Sequence, residues 1–398
     1  MLSLPTPTGS AFRHSCAVQE MICAEIITAG GWIPFTRYME LAIYAPDMGY
    51  YCGGTAKFGD AGDYATAPEI SPLFGRTIAR QASQVLECMG DDSSNILEFG
   101  AGTGKLALDL LLELEKLERL PKHYFILEVS GELQKRQKEL FEKFAPHLLS
   151  RVDWLGHLPA KFKGLILANE VLDAMPVHLV VWRGTSLFER GVAWNGEAFE
   201  WSDQLLNNRE LFKVARELSS QINSDGDNVG TYVSEIGLST RGFMRSLAGI
   251  LQQGAIVLID YGFGYNEYYH SQRNRGTLMC HYRHHAHDDP FYFPGLQDIT
   301  SHVDFSAIAE AATGAGLELL GYASQAHFLI NCGITEILAR IPAENTGDFL
   351  PIANQLQKLV SPAEMGELFK VIAFGKDIQQ PLVGFTSGDK SGLLKKEA

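Results

Sequence analysis

The segment "NILEFGAGTGK" (Asn95–Lys105) joins a short apolar run to three glycines at alternate positions, Gly100, Gly102 and Gly104. An apolar run closed by a glycine loop reads as a strand turning into a helix. In open α/β sheets such loops lie at the strand's C-terminal end, where ligands are taken. The following residues repeat the pattern. "KLALDLLLELEKLERL" (105–120) puts leucines on one helical face, with no glycine or proline inside it. "HYFILEV" (123–129) is a second buried run, and "GELQKRQKELFEKFAPHLL" (131–149) a second helix. "VDWLG" (152–156), "GLILANE" (164–170) and "GAIVLIDYG" (254–262) are further strands. Continuous apolar strands alternating with helices predict an α/β fold, a mostly parallel sheet flanked by helices. Near the C-terminus, "LELLGYASQAHFLI" (317–330) and "FKVIAFGKD" (369–377) read as two more strands at the sheet edge, one of them antiparallel. The stretches 349–360 and 362–369 between them read as helical.

The loop's chemistry narrows its ligand. A phosphate loop needs four residues between its glycine and Gly-Lys-[Ser/Thr]; here the spacing is one short, and Leu106 stands where the hydroxyl belongs. A dinucleotide loop needs a third glycine where this chain has Lys105. An acid, Glu98, instead precedes the glycines by two residues. A carboxylate there suits a ligand that carries positive charge and no phosphate, such as S-adenosylmethionine, with its sulfonium and α-amino group. Gly100, Gly102 and Gly104 allow the backbone to approach such a ligand closely. Glu128, 24 residues after Gly104, is placed to accept both ribose hydroxyls.

Composition weighs against other classes. The 398 residues carry a formal net charge of -14, against a nucleic-acid partner, which favours a basic face. No apolar run reaches the ~18–20 residues of a membrane span. Six scattered cysteines without a CxxC pair read as free thiols in a reducing compartment. The first 20 residues resemble neither a secretory signal nor an arginine-rich transit peptide. That favours a bacterial-type cytoplasmic location, with the mitochondrial matrix as the alternative. Three regions interrupt the alternation. Residues 1–90 form an N-terminal helical and loop extension; 178–235 opens with alternating apolar and polar residues around glycine turns, an antiparallel hairpin pattern; 262–300 is rich in aromatics and histidine without periodicity. The methyl-donor domain is then 91–383 with those two insertions, and 384–398 reads as a frayed tail.

"ILEFGAGTGKL" followed by "ANEVLDAMPV" resembles the MidA-like class I methyltransferases, the group that includes the mitochondrial complex I assembly-factor methyltransferase. The resemblance runs on through "IPFTRYMELAIYAPDMGYY" (33–51), "GDYATAPEISPLFG" (62–75), "YVSEI" (232–236), "IDYGFGYNEYYH" (259–270), "RGTLMCHYRHHAHDDPF" (275–291), "DITSHVDF" (298–305) and "FLINCGI" (328–334). It implies a class I methyltransferase fold with insertions and S-adenosyl-L-methionine as donor. For the mitochondrial member it implies an arginine of a complex I subunit as acceptor. It also implies that 62–75 covers the cofactor, through Asp63, Thr66 and Glu69, although Ser71-Pro72 there equally reads as a helix cap.

Asn169, Glu170 and Asp173 close the "LILANEVLDAMP" strand at the ligand edge of the sheet. Asn169 is assigned to the cofactor. Glu170, then Asp173, are the carboxylates expected to hold a planar, cationic guanidinium and aim a nitrogen at the methyl group. Asp173 equally reads as a helix N-cap. Glu235 is a weaker acid candidate for the acceptor pocket. His270, His281, His302 and Asp304 are candidates for removing a proton from the acceptor. The cluster "CHYRHHAHDDP" (280–290) raises a metal site, against which Arg283 and the irregular spacing count. The expected partner is a protein with an accessible arginine, with no nucleic acid and no membrane insertion; a homodimer stays open. The rivals are a methyltransferase acting on a small molecule or another side chain, a cofactor-binding assembly chaperone with little turnover, and a metal-dependent hydrolase.

Overall fold

The structure, a computed structural model, describes residues 4–53, 66–89, 94–222, 230–342 and 346–395. The chain divides into two compact units, each assembled from three segments.

One unit comprises Ala65–Leu172, Phe243–Phe263 and Phe305–Ala398. Its strands are β1 (Asn95–Phe99), β2 (His123–Leu127), β3 (Val152–Leu155), β4 (Phe162–Asn169), β5 (Leu251–Phe263), β6 (Glu318–Ser324) and β7 (Phe369–Lys376). They lie in the order β6-β7-β5-β4-β1-β2-β3. β1, β2, β3, β4 and β5 run parallel to one another, and β7 is antiparallel to both β5 and β6. This is the mostly parallel sheet expected, with its one reversed strand inserted between β5 and β6. In register, Phe99 sits opposite Leu127 and Ala168, and Asn169 opposite Ile259. The C-terminal ends of β1, β2, β4 and β5 therefore share one edge.

Three helices show how the sequence places that edge. α1 (Pro72–Met89) starts after Ser71, whose hydroxyl accepts the Leu73 N–H, so the cap reading holds. α2 (Lys105–Lys116) begins straight out of the glycine loop and buries Leu106, Leu110, Leu111 and Leu114 at helical spacing. α3 (Gly131–Phe144) is capped by Ser130 and buries Leu133, Gln137 and Phe141, four residues apart. These faces join the sheet in one core with Ile96, Tyr124, Ile126, Leu165, Leu167 and Val257.

Two expectations for the C-terminal region are corrected. The 317–330 stretch is strand only to Ser324; Gln325–Asn331 is a helix, because the Ser324 hydroxyl caps it by accepting the His327 N–H. The tail is not frayed through residue 395: Phe385 and Leu394 are buried, and Asp389 accepts the Tyr322 N–H at 2.9 Å.

The other unit comprises Met1–Tyr64, Asp173–Gly242 and Gly264–Asp304. Strands Trp32–Pro34, Ser186–Trp194, His178–Arg183 and Tyr232–Ile236 pair antiparallel in that order, and Phe199–Leu205 pairs on Ser186–Trp194. The helices Gly9–Thr28 and Phe35–Tyr44 pack Val18, Ile22, Tyr38 and Ile43 into its core with Leu179, Val192 and Ile299. Residues 262–300, which show no periodicity, contain a second antiparallel sheet of Met279–Tyr282, His285–His287 and Asp298–Thr300. Strands of three and four residues are too short to announce themselves by alternation. Among the described residues no helix is long and apolar enough to cross a membrane.

Candidate active site

The glycine loop leaves β1 at the ligand edge, where the Gly100 N–H bonds the Leu127 carbonyl at 3.0 Å. Gly100, Gly102 and Gly104 have φ of 59°, 54° and 88°, the left-handed region that side-chain-bearing residues avoid. A Cβ at Gly100 would stand 3.1 Å from Val171, and one at Gly104 3.1 Å from Gln137. The loop is thus a bare-backbone cradle. Its one cation, Lys105, pairs with Asp109 at 3.4 Å.

Acids surround this cradle. Glu98 is 2 % exposed and accepts the Tyr124 hydroxyl at 2.7 Å. Burial pushes its carboxyl up to about 8; the Tyr124 bond opposes the rise and Glu128 adds repulsion. The Glu128 carboxylate takes the Ser130 N–H at 3.0 Å and the Gln137 amide at 3.4 Å. Beside it Val129 is 63 % exposed, an apolar surface at the ligand edge. Glu69 accepts the Thr103 hydroxyl, which brings one residue of the 62–75 segment onto the loop. Thr66 sits at the N-cap of the short helix Ala67–Ile70, without a side-chain bond to it. Asp63 lies outside the described residues.

At the end of β4, Asn169 donates to the Glu170 carboxylate at 3.0 Å. Its Oδ1 is buried and has no hydrogen-bond partner among the described residues. Glu170 has φ of 52°, a left-handed conformation on a residue with a full side chain, while its N–H bonds the Ile259 carbonyl at 2.9 Å. Non-glycine residues are held so where the surroundings over-determine the turn, most often at functional positions.

Asp260 was not singled out from the sequence. It is fully buried in β5, and its two oxygens take the N–H groups of Leu172 and Tyr261, each at 2.9 Å. It fixes the chain just beyond Glu170. The signal was present: an acid inside "IVLIDYG" must find donors, since an unpaired buried carboxylate is very costly.

The remaining candidates belong to the second unit. Asp173 is buried, and its carbonyl accepts the Ser301 N–H at 3.0 Å. A turn and the strand His178–Arg183 follow it, so it caps no helix and that reading is withdrawn. Glu235 is tied internally: its carboxylate takes the N–H groups of Thr277 and Leu278 at 2.8 and 2.9 Å and the Thr277 hydroxyl at 3.2 Å. Burial pushes its carboxyl up despite those bonds. Asp304 accepts the Tyr269 hydroxyl at 3.0 Å, and Tyr268 donates to the His302 carbonyl at 3.1 Å. His270 is exposed and caps the turn Ser271–Arg273 through its ring. His281 lies in the ladder opposite Ala286 and Asp298, and the Arg283-His284 turn closes that hairpin with φ of 48° and 63°. Among the described residues no group of three or more His, Cys, Asp and Glu side chains is arranged to hold a metal ion.

The first unit therefore offers a cradle without phosphate-binding charge, acids, a buried amide oxygen lacking a partner and an apolar surface. These fit S-adenosyl-L-methionine, which is cationic, carries a ribose and an adenine, and has no phosphate. Comparison with known proteins agrees. Residues 77–323 match the family of S-adenosyl-L-methionine-dependent methyltransferases. A Burkholderia thailandensis protein crystallised with S-adenosyl-homocysteine is 50% identical, with a TM-score of 0.92 and coverage of 98% of this chain and 100% of that one. A native crystal structure of a protein from the same organism gives 49% identity and a TM-score of 0.90, with the same coverage. The chain is 27% identical to the mitochondrial protein arginine methyltransferase NDUFAF7 homolog of Drosophila melanogaster, over 96% of this chain and 91% of that protein. It is 26% identical to the human mitochondrial protein arginine methyltransferase NDUFAF7, over 87% and 81%. This chain belongs to the S-adenosyl-L-methionine-dependent methyltransferase family.

Proposed function

We propose that this methyltransferase acts on an arginine side chain of a protein partner, a respiratory complex I-type subunit being the acceptor that the family resemblance implies. The carrying observation is Glu170, held in a left-handed turn at the ligand edge with its carboxylate bonded to Asn169. The curated relatives named as protein arginine methyltransferases support the same acceptor class.

Bound at the glycine loop, the cofactor supplies an electrophilic methyl group. Gly100, Gly102 and Gly104 let the backbone meet it, Glu128 accepts its ribose hydroxyls, and Val129 offers a surface for the base. Asn169 gives its unpartnered Oδ1, and Glu98, a protonated acid near neutral pH, braces β1 beneath the loop through its bond with Tyr124. Thr66 and Glu69 belong to the segment that covers the cofactor. Methyl transfer is an in-line displacement, so alignment is the enzyme's main task. Glu170 pairs with the guanidinium through two parallel bonds and turns one nitrogen toward the methyl group. Arginine holds its proton far into the basic range, so the proton leaves after transfer.

The test uses methyl-labelled donor, the purified protein and an extract of cells lacking it. After acid hydrolysis, label recovered as methylarginine supports the assignment. Label in another amino acid or in a small molecule overturns it.

A further inference from the structure

Gln137 takes no part in the assignments above, yet it is wholly buried. It sits on the sheet-facing stripe of α3 between Leu133 and Phe141, where an apolar residue would fill the space equally well. Its amide is used on both sides. Nε2 donates to the Gly102 carbonyl at 2.8 Å and to Glu128 Oε2 at 3.4 Å, while Oε1 accepts the Trp154 indole N–H at 2.8 Å. One side chain thereby links the glycine loop after β1, the acid after β2, and β3. The missing Cβ of Gly104 leaves room for its stem. The other Glu128 oxygen is held by the Ser130 N–H. A carboxylate gripped at both oxygens has a fixed plane.

We propose that Gln137 is a positioning residue for the cofactor's ribose, setting the Glu128 carboxylate and the Gly102 carbonyl in the orientation that receives the paired hydroxyls. This rests on the reading that Glu128 accepts those hydroxyls.

The test measures affinity by calorimetry for S-adenosylhomocysteine and for its 2′-deoxy analogue. It compares the native protein with Glu128→Gln, Gln137→Leu and the double variant, each checked for folding by circular dichroism. The native protein is expected to prefer the full ribose, and Glu128→Gln to lose that preference. Gln137→Leu is expected to weaken S-adenosylhomocysteine binding about tenfold and to lose the same preference. The double variant should be little worse than either single one, because both act on one contact. Gln137→Glu keeps the volume and the acceptor for Trp154 but sets a charge against Glu128, so it serves if the leucine variant does not fold. An unchanged preference in Glu128→Gln overturns the ribose reading itself. A lost preference in Glu128→Gln beside an intact one in the Gln137 variants overturns only the role of Gln137, even if their overall affinity falls.

Discussion

Replacing Glu98 by glutamine should make stability less sensitive to pH, by an amount the structure fixes. Glu98 is 2 % exposed, and its carboxyl rises from 4.5 to about 8, burial being the largest cause. Between those values the folded chain holds a proton that the unfolded chain releases. Stability therefore falls as pH rises through that window, the reverse of the usual salt-bridged carboxylate. The linkage relation puts the penalty at about 1 kcal/mol at pH 5, about 3 at pH 7 and about 5 at pH 9. Glutamine keeps an acceptor for the Tyr124 hydroxyl and has no proton to lose. The gap in unfolding free energy between Glu98→Gln and the native protein should thus widen by about 4 kcal/mol from pH 5 to pH 9. Urea unfolding of both proteins at pH 5, 7 and 9, followed by circular dichroism, measures it. Other acids raised by burial, Asp109 and Glu235 among them, titrate in both proteins and cancel in the difference. A gap that stays constant within 1 kcal/mol, measured without cofactor, would refute the reasoning about Glu98.

Glu170→Gly should separate stability from turnover. It removes a side chain from a left-handed position with φ of 52°, so it should stabilise the fold by up to about 1 kcal/mol while slowing methyl transfer at least a hundredfold. Melting curves and single-turnover rates decide, and undiminished transfer removes Glu170 from the mechanism. Gly102→Val forces a β-branched residue into a φ of 54° on the cradle and should abolish S-adenosylhomocysteine binding while helical content is kept. Retained affinity by calorimetry would move the site elsewhere.

The parts of this protein legible in its sequence are those where one residue's role repeats along a period. The runs that became β1, β2, β4 and β5 are apolar on both faces, and α2 and α3 carry their buried residues at helical spacing. The glycine loop was readable because three successive alternate positions share one steric demand. Asp260 and Gln137 escaped notice because each acts alone, and the partners of Gln137 lie 9, 17 and 35 residues away. Glu235 was readable as an acid but not as an internal tie, since its partners stand 42 and 43 residues further on. The helix Gln325–Asn331 is only seven residues long, too short for a period to separate it from the strand before it.

The placing of β7 has a consequence for how the chain is made. β5 and β6 are synthesised well before it, yet it is Phe369–Lys376 that lies between them and pairs with both. Until those residues leave the ribosome, the apolar ladder of β5 has an open side, and so has β6. Open strand edges recruit other chains. A nascent chain arrested between residues 325 and 368 carries both open strands, so its protection from aggregation has to last until Phe369–Lys376 has emerged.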